Sequence, residues 1–189
     1  MSRFLGEVRQ VGYVVRDIEA AMKSWIETLG VGPWYYIDRV PMRDFVCRGV
    51  AGTPQVSIAL ANSGAVQIEL IEQRDMTASM YREFLDGGHE GAQHISYWID
   101  DFDAGLAKLL AGGYEVGQSG NIGKSGRFAY LTHRLQPATV IEISEVNGAK
   151  GRFFAEIAEA ARTWDGSDPI RRMDAPRRAP ASGGQETSA

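Results

Sequence analysis

Residue character alternates along "QVGYVV", Gln10–Val15, giving a strand two unlike faces: Val11, Tyr13 and Val15 on one side, Gln10, Gly12 and Val14 on the other. The same registers return in "HISYWI", with Ile95, Tyr97 and Ile99 on one side and His94, Ser96 and Trp98 on the other. Each run then meets an aspartate, Asp17 or Asp101, suited to cap a helix by accepting hydrogen bonds from its first free amides. There the period changes. Ile18, Met22, Trp25 and Leu29, and later Phe102, Leu106 and Leu109, recur every three or four residues and draw one apolar stripe per helix. Gly30 and Gly112 stand where left-handed C-terminal caps are favoured. Strand-like runs follow each helix: "PWYYIDRV", "FVCRGVAG", "VSIALAN" and "AVQIELIEQ", then "YEVGQS", "RFAYLTH" and "TVIEISEV".

The pattern is stated twice. "EVRQVGYVVRDIEAAMKSWI" from Glu7 and "GAQHISYWIDDFDAGLAKLL" from Gly91 align without a gap, setting Gln10 on His94, Tyr13 on Tyr97, Asp17 on Asp101 and Ala20 on Ala104. "VQIELIE" and "TVIEISE" pair Ile68 with Ile141, Glu69 with Glu142 and Glu72 with Glu145. Two copies of a βαβββ unit are thus marked at both ends, with a period too long for a solenoid. The predicted fold is α+β: modules over about 7–73 and 91–146, within one domain spanning 1–148, pair into a curved, partly open mixed β barrel with helices outside and a cleft between them. Beyond Val146, the helical spacing of Phe153, Ile157 and Ala161 predicts a C-terminal helix over 149–166, packed on the barrel or on a partner subunit. Residues 167–189 are basic and rich in Pro, Ala, Gly and Ser, a composition that cannot offset ordering entropy, and are expected to be disordered.

If the helices cover the faces bearing Val11 and Ile95, Gln10 and His94 point into the concave side. Alternation sends Glu69 and Glu142 there as well, with Gln67 and Ile71 beside the first and Val140 and Ser144 beside the second. A pseudo-twofold axis then gathers Gln10, Glu69, His94 and Glu142. One imidazole nitrogen, two carboxylates and an amide oxygen suit a borderline or hard divalent ion, Zn, Ni, Co, Mn or Fe, with open positions for substrate. Among these, Gln10 is the weakest donor, and its amide could instead hydrogen-bond a ligand water.

Composition narrows the function classes. A net charge of -4 gives no electrostatic ground for nucleic-acid binding. No apolar run is long enough for a membrane span, and "MSRFLGEVRQ" lacks a signal core, so a cytoplasmic protein acting on a small molecule is expected. The single cysteine, Cys47, rules out an internal disulfide and a cysteine-rich zinc site, and reads as a small half-buried residue. "GQSGNIGKSG" has the wrong spacing for a phosphate loop and lacks the helix that should follow; it reads as a hairpin connection, with Lys124 and Arg127 as candidate contacts for an anionic substrate. Trp98, on the face of His94, with Phe128 and Tyr130 supplies aromatic surface for a pocket beside the ligand cluster. His89 and His133 lie in loop-like and strand-end contexts.

Over about Glu7 to Val146, and on "VRQVGYVVRDIEAAMKSW", "AVQIELIEQ", "QHISYWIDDFDAGLAKLLAGGYEV" and "RFAYLTHRLQPATVIEISEV", the chain resembles the vicinal oxygen chelate superfamily, which includes glyoxalase I, methylmalonyl-CoA epimerase, extradiol dioxygenases and antibiotic-resistance proteins. The resemblance implies metal ligands at Gln10, Glu69, His94 and Glu142, a set similar to eukaryotic-type glyoxalase I. It implies Glu142 as base, with Glu69 as ligand or opposite-face proton carrier, and a homodimer. A ring-cleaving oxygenase is disfavoured, because those relatives use two histidines and only His94 stands at an aligned position. The expected activity is that of a metal-dependent glyoxalase-like lyase or isomerase, removing a proton next to a carbonyl and stabilising the enolate. A methylmalonyl-CoA-epimerase-like reaction is the alternative, and a metal-free antibiotic-binding protein a second class.

Overall fold

The capping aspartates start the helices as the sequence pattern implies, and they set the frame. In the computed structural model, which describes residues 1–123 and 126–173, the chain runs β1 (Val8–Val14), α1 (Ile18–Ser24, continued by a wider π turn over Trp25–Leu29), β2 (Trp34–Ile37), β3 (Met42–Cys47), β4 (Val50–Ala51), β5 (Val56–Ser63), β6 (Val66–Gln73) and α2 (Met80–Asp86). The second half follows as β7 (Gly91–Ile99), α3 (Phe102–Ala111), β8 (Tyr114–Ile122), β9 (Gly126–His133), β10 (Gln136–Glu145), α4 (Gly148–Arg162) and β11 (Ile170–Met173). Asp17 Oδ1 accepts from Ala20 N at 2.9 Å and Asp101 Oδ1 from Ala104 N at the same distance, so both modules start their helices alike. Glu72 Oε2 adds a second anchor, accepting from Ile18 N at 3.0 Å.

All strands join one curved sheet in the order β11-β2-β5-β6-β1-β7-β10-β9-β8-β3-β4, open at its ends. The halves β2-β5-β6-β1 and β7-β10-β9-β8 mirror each other in element order and meet at the antiparallel pair β1–β7, within one chain. One run departs from its half. "FVCRGVAG" forms the β3–β4 hairpin, which crosses to pair with β8 and extends the second module's outer edge.

The two faces of the sheet bury different helices. On the convex side α1 seats Ile18 and Met22, both 0% exposed, against Trp34, Ala59 and Leu70, while α3 seats Phe102 and Leu109 against Leu131 and Ile143. Each such aliphatic side chain contributes about 1.5–3 kcal/mol when fully buried. Leu29 leaves its predicted stripe and is 62% exposed, because the helix widens to i→i+5 geometry before reaching it. The second helix's left-handed glycine is Gly113, at φ +86°, one residue after the predicted Gly112, whose φ is -83°.

The concave side is covered by α2 and α4. The repeat pattern gave no helix at α2, which Ser79 caps by accepting from Arg82 N at 3.0 Å. It buries Met80, Tyr81 and Leu85 among Phe45, Ile71 and Phe128. From α4, Phe154 and Ile157 pack on Tyr35 and Leu60 of the first half. Ile170–Met173, placed by composition in the disordered tail, instead forms β11, parallel to β2, with Arg171 donating to Tyr35 Oη at 2.9 Å. Pairing with an available sheet edge outweighs the poor composition of that segment. The rest of the expected tail, 174–189, and Lys124 of the β8–β9 hairpin lie outside the described residues. No described helix is long and apolar enough to cross a membrane.

Candidate metal centre

Strand register decides which side chains meet. Gln10 pairs with Gln67 and Gly12 with Glu69 across β1–β6; His94 pairs with Val140 and Ser96 with Glu142 across β7–β10. At the seam Gly12 faces His94 and Gln10 faces Ser96. Four neighbouring strands, β6-β1-β7-β10, therefore carry Glu69, Gln10, His94 and Glu142 on one concave face.

Three of these converge tightly. His94 Nε2 lies 3.6 Å from Glu69 Oε2 and 3.4 Å from Glu142 Oε2, and one donor atom from each of the three falls within 4.8 Å of the others. Two ligand atoms at about 2.1 Å from a shared cation are at most about 4.2 Å apart, so the two measured distances fit one ion and the full spread requires only slight closing. Gln10 lines the same cavity; its Nε2 donates to Gln67 Oε1 at 2.8 Å, which leaves its own oxygen as the acceptor. Glu142 Oε2 is buried without a hydrogen-bond partner, as an atom meant for a cation would be. The donor set thus fits a divalent ion held by Glu69, His94 and Glu142, with Gln10 within the same pocket.

Two further residues place the imidazole. Gln93 Oε1 lies 2.7 Å from His94 Nδ1; an amide oxygen only accepts, so this contact assigns the proton to Nδ1 and turns Nε2 toward the carboxylates. Gly12 makes room for the ring. A Cβ built on Gly12 would stand 1.8 Å from His94 Cε1, so any larger residue would displace the imidazole. A glycine inside a strand is the sequence signal for such an approach, and the alternation argument passes over it.

The cluster polarises its own groups. Burial alone would depress His94, but hydrogen bonds and charge from Glu142 and Glu69 outweigh it and raise the pKa to about 9. Burial pushes Glu69 up, reinforced by the charge of Glu142. Burial pushes Glu142 the same way, yet hydrogen bonding to His94, with help from Lys150 and Ser96, brings it below the usual carboxylate range. The two carboxylates and the imidazole between them exchange protons as one unit. Tyr130 Oη lies 3.3 Å from His94 Nε2 and accepts from Tyr81 Oη at 3.1 Å; burial raises both phenols, so both are hydrogen-bond groups at neutral pH.

The cluster opens into a cavity of ≈ 410 Å³ whose walls include Val56, Ile58, Ile71, Phe128, Phe153 and Phe154. Of the aromatic and basic candidates, Phe128 and Tyr130 line it. Trp98 does not: it shares the face of His94, but α4 folds over it and stacks Phe154 on its ring at 4.8 Å, with Arg9 4.9 Å away. Arg127 also lies outside, since alternation sends it to the opposite face from Phe128, where it pairs with Asp103 at 2.9 Å and Glu145 at 3.1 Å. His89 stacks on Phe84 and His133 on Tyr114, both away from the cavity lining. Tyr81, from the unpredicted α2, and Lys150, from α4, line the cavity and were not among the sequence candidates.

Comparisons with known proteins agree with this architecture. None of the curated proteins matches the chain in sequence. Among solved structures, methylmalonyl-CoA epimerase from Mycobacterium tuberculosis is 18% identical, with 80% of this chain and 95% of that one covered and a TM-score of 0.58. A hypothetical protein from Bacillus halodurans C-125 is also 18% identical, covering 75% of this chain and 95% of its own, at a TM-score of 0.57. A Streptomyces coelicolor methylmalonyl-CoA epimerase variant in complex with 2-nitronate-propionyl-CoA matches at 18% identity, 75% and 94% coverage, and a TM-score of 0.53. At these identities the likeness is one of fold. The family model described as glyoxalase/bleomycin resistance protein/dioxygenase superfamily matches residues 9–130, and with its duplicated sheet the chain belongs to that superfamily.

Proposed function

We propose that the protein is a metal-dependent, glyoxalase-like lyase or isomerase that removes a proton from a carbon next to a carbonyl. The observation that carries this reading is the convergence of Glu69, His94 and Glu142 donor atoms within 4.8 Å at the wall of an apolar cavity. A divalent cation held there would act as a Lewis acid on the substrate carbonyl, favouring loss of the neighbouring proton. Glu142 is the base: it is buried at the cavity wall, where a bound cation would keep its carboxylate ionised. Glu69, on the far side of the β1–β7 seam from Glu142, returns the proton. Gln93 fixes the imidazole tautomer and Gly12 its position. Tyr130 offers its hydroxyl beside the reacting region.

An epimerase reading draws on one specific feature, the placement of Glu69 and Glu142 on strands either side of the β1–β7 seam. Carboxylates on two sides of a substrate carbon can remove the proton from one face and deliver it to the other. In a lyase or isomerase outcome, the same proton goes to a neighbouring carbon. The two differ in product, not in the first step.

Uptake of solvent deuterium into a panel of 2-oxoaldehyde thiol adducts and acyl-CoA esters, followed by mass spectrometry after metal loading, tests the reading. Exchange into at least one compound class is expected, with a loss of about 10²–10⁴-fold in Glu142→Gln. Undiminished exchange in that variant would remove Glu142 as the base. A protein that takes up no metal and exchanges nothing would instead be a binding protein.

A further inference from the structure

Helix α4 brings into the cavity a charge that the metal centre does not need. Lys150 sits in the first turn of α4, where the positive end of the helix dipole disfavours a cation, and no acidic residue shares that turn. Even so, its side chain lines the cavity together with Glu69 and Glu142. Its ammonium donates to Ser144 Oγ at 2.7 Å and lies 5.6 Å from the Phe154 ring. Among the described lining residues it is the one cationic side chain, and it closes no ion pair with a described residue. A lysine held against both helix polarity and an apolar wall calls for a partner.

Charge balance indicates what that partner is. Burial pushes Lys150 below the ordinary lysine range, while the charges of Glu142, Glu69 and Glu145 act the other way and favour its ammonium form. A divalent ion bound by the two carboxylates would cancel their charge. Lys150 would then keep only Glu145 as a nearby opposite charge, and that carboxylate is already paired with Arg127, so an ammonium in this apolar enclosure is costly unless an anion enters with the substrate. The enclosure also limits size and character: ≈ 410 Å³ is near the lower end of small-molecule sites, and most of its other walls are aliphatic and aromatic.

Building on the function proposed above, we infer that Lys150 receives the anionic group of the substrate, and that the substrate portion held in the cavity is an enolisable carbonyl compound with a mainly hydrocarbon body and one negative charge. The ammonium fixes the anionic end of the molecule, so that the carbon next to the carbonyl faces Glu142. Phe153 and Phe154 take the apolar body. Selectivity then comes from charge at one end and hydrocarbon contact along the rest.

A pair of unreactive probes reads this without turnover. Isothermal titration calorimetry with 4-phenylbutanoate and with its neutral amide is carried out on protein incubated with Zn²⁺, its zinc content measured separately. Wild type is expected to bind the carboxylate at least about 10-fold more tightly than the amide. K150Q should bring that ratio close to one with zinc content and melting temperature unchanged; K150M, which keeps the stem against Phe154, should do the same. Equal affinities in wild type, binding of neither probe, or a preference that survives in a folded Lys150 variant would each overturn the inference. Failure of the enzymatic reading looks different. A protein that holds no zinc and exchanges no deuterium, yet selects the carboxylate through Lys150, would refute that reading and leave this one standing.

Discussion

The two halves of the sheet share a frame but divide the chemistry. Their central strands relate Gln10 to His94 and Gly12 to Ser96, and each carries a glutamate, Glu69 or Glu142, on the neighbouring strand opposite the second of those positions. The glutamate is kept in both halves, whereas the residues facing it differ. On one side Gly12 leaves space that the His94 ring fills. On the other, Ser96 stands opposite Glu142, whose carboxylate His94 chiefly holds ionised, while burial prevails at Glu69, opposite the glycine, and pushes it upward. Duplication therefore supplies convergence, and departures from symmetry shape the cluster: a second bulky residue at Gly12 would collide with the imidazole, and identical surroundings would give both glutamates the same proton affinity.

The largest effect expected from breaking this asymmetry is at the imidazole. His94→Ala should weaken Zn²⁺ binding by more than about 100-fold, since even residues that only orient a ligand cost about 10–100-fold when removed. Gln10→Ala, its symmetry counterpart, should lose far less, because an amide oxygen is the weaker donor. Competitive titration against a chromogenic chelator measures both; equal losses would mean the halves contribute alike.

A smaller effect belongs to the seam. Gly12→Ala forces a methyl group into the ring of His94 and should destabilise the fold by about 1–3 kcal/mol, as overpacking does. It should also reduce zinc affinity by displacing the ligand. Ser96→Ala, at the equivalent position, should cost about 1 kcal/mol or less by removing one hydroxyl contact. Urea denaturation of the two variants separates them, and a Gly12→Ala protein of wild-type stability would contradict the close approach.

The smallest expected effect is on pH dependence. In cation-free protein the His94 pKa of about 9 lies above its ordinary 6.5, so the stabilisation from its two carboxylate partners is fully present below about 6.5 and is lost as pH rises through 9. Thermal melts should therefore fall across that window. A bound divalent ion needs the neutral ring, so zinc should oppose the fall. A cation-free melting temperature that climbs from pH 6.5 to 9 would show that the imidazolium is not stabilised by Glu69 and Glu142.

Much of the site could be read from local pattern, and the exceptions share a cause. Alternation at Gln10, Glu69, His94 and Glu142 is fixed by the geometry of a strand, so sequence alone assigns their common face. The same rule sets Phe128 and Tyr130 on the cavity side and Arg127 on the other once the register of β9 is known, although charge alone pointed to Arg127 as a substrate contact. Trp98 has the right parity and still misses the cavity, because α4 lies between. Tyr81 reaches the site from a short helix outside the repeat, and Ile170–Met173 is ordered by an edge its own composition does not reveal.

What the chain determined by itself was periodic and near in sequence: strand faces, capped helices, a duplicated unit and four polar residues aimed one way. Which of those faces is enclosed, which aromatic rings remain at the wall and where Lys150 stands were decided by segments that fold back from far along the chain. Such contacts depend on crossing, packing and edge pairing between distant elements, and no local periodicity encodes them.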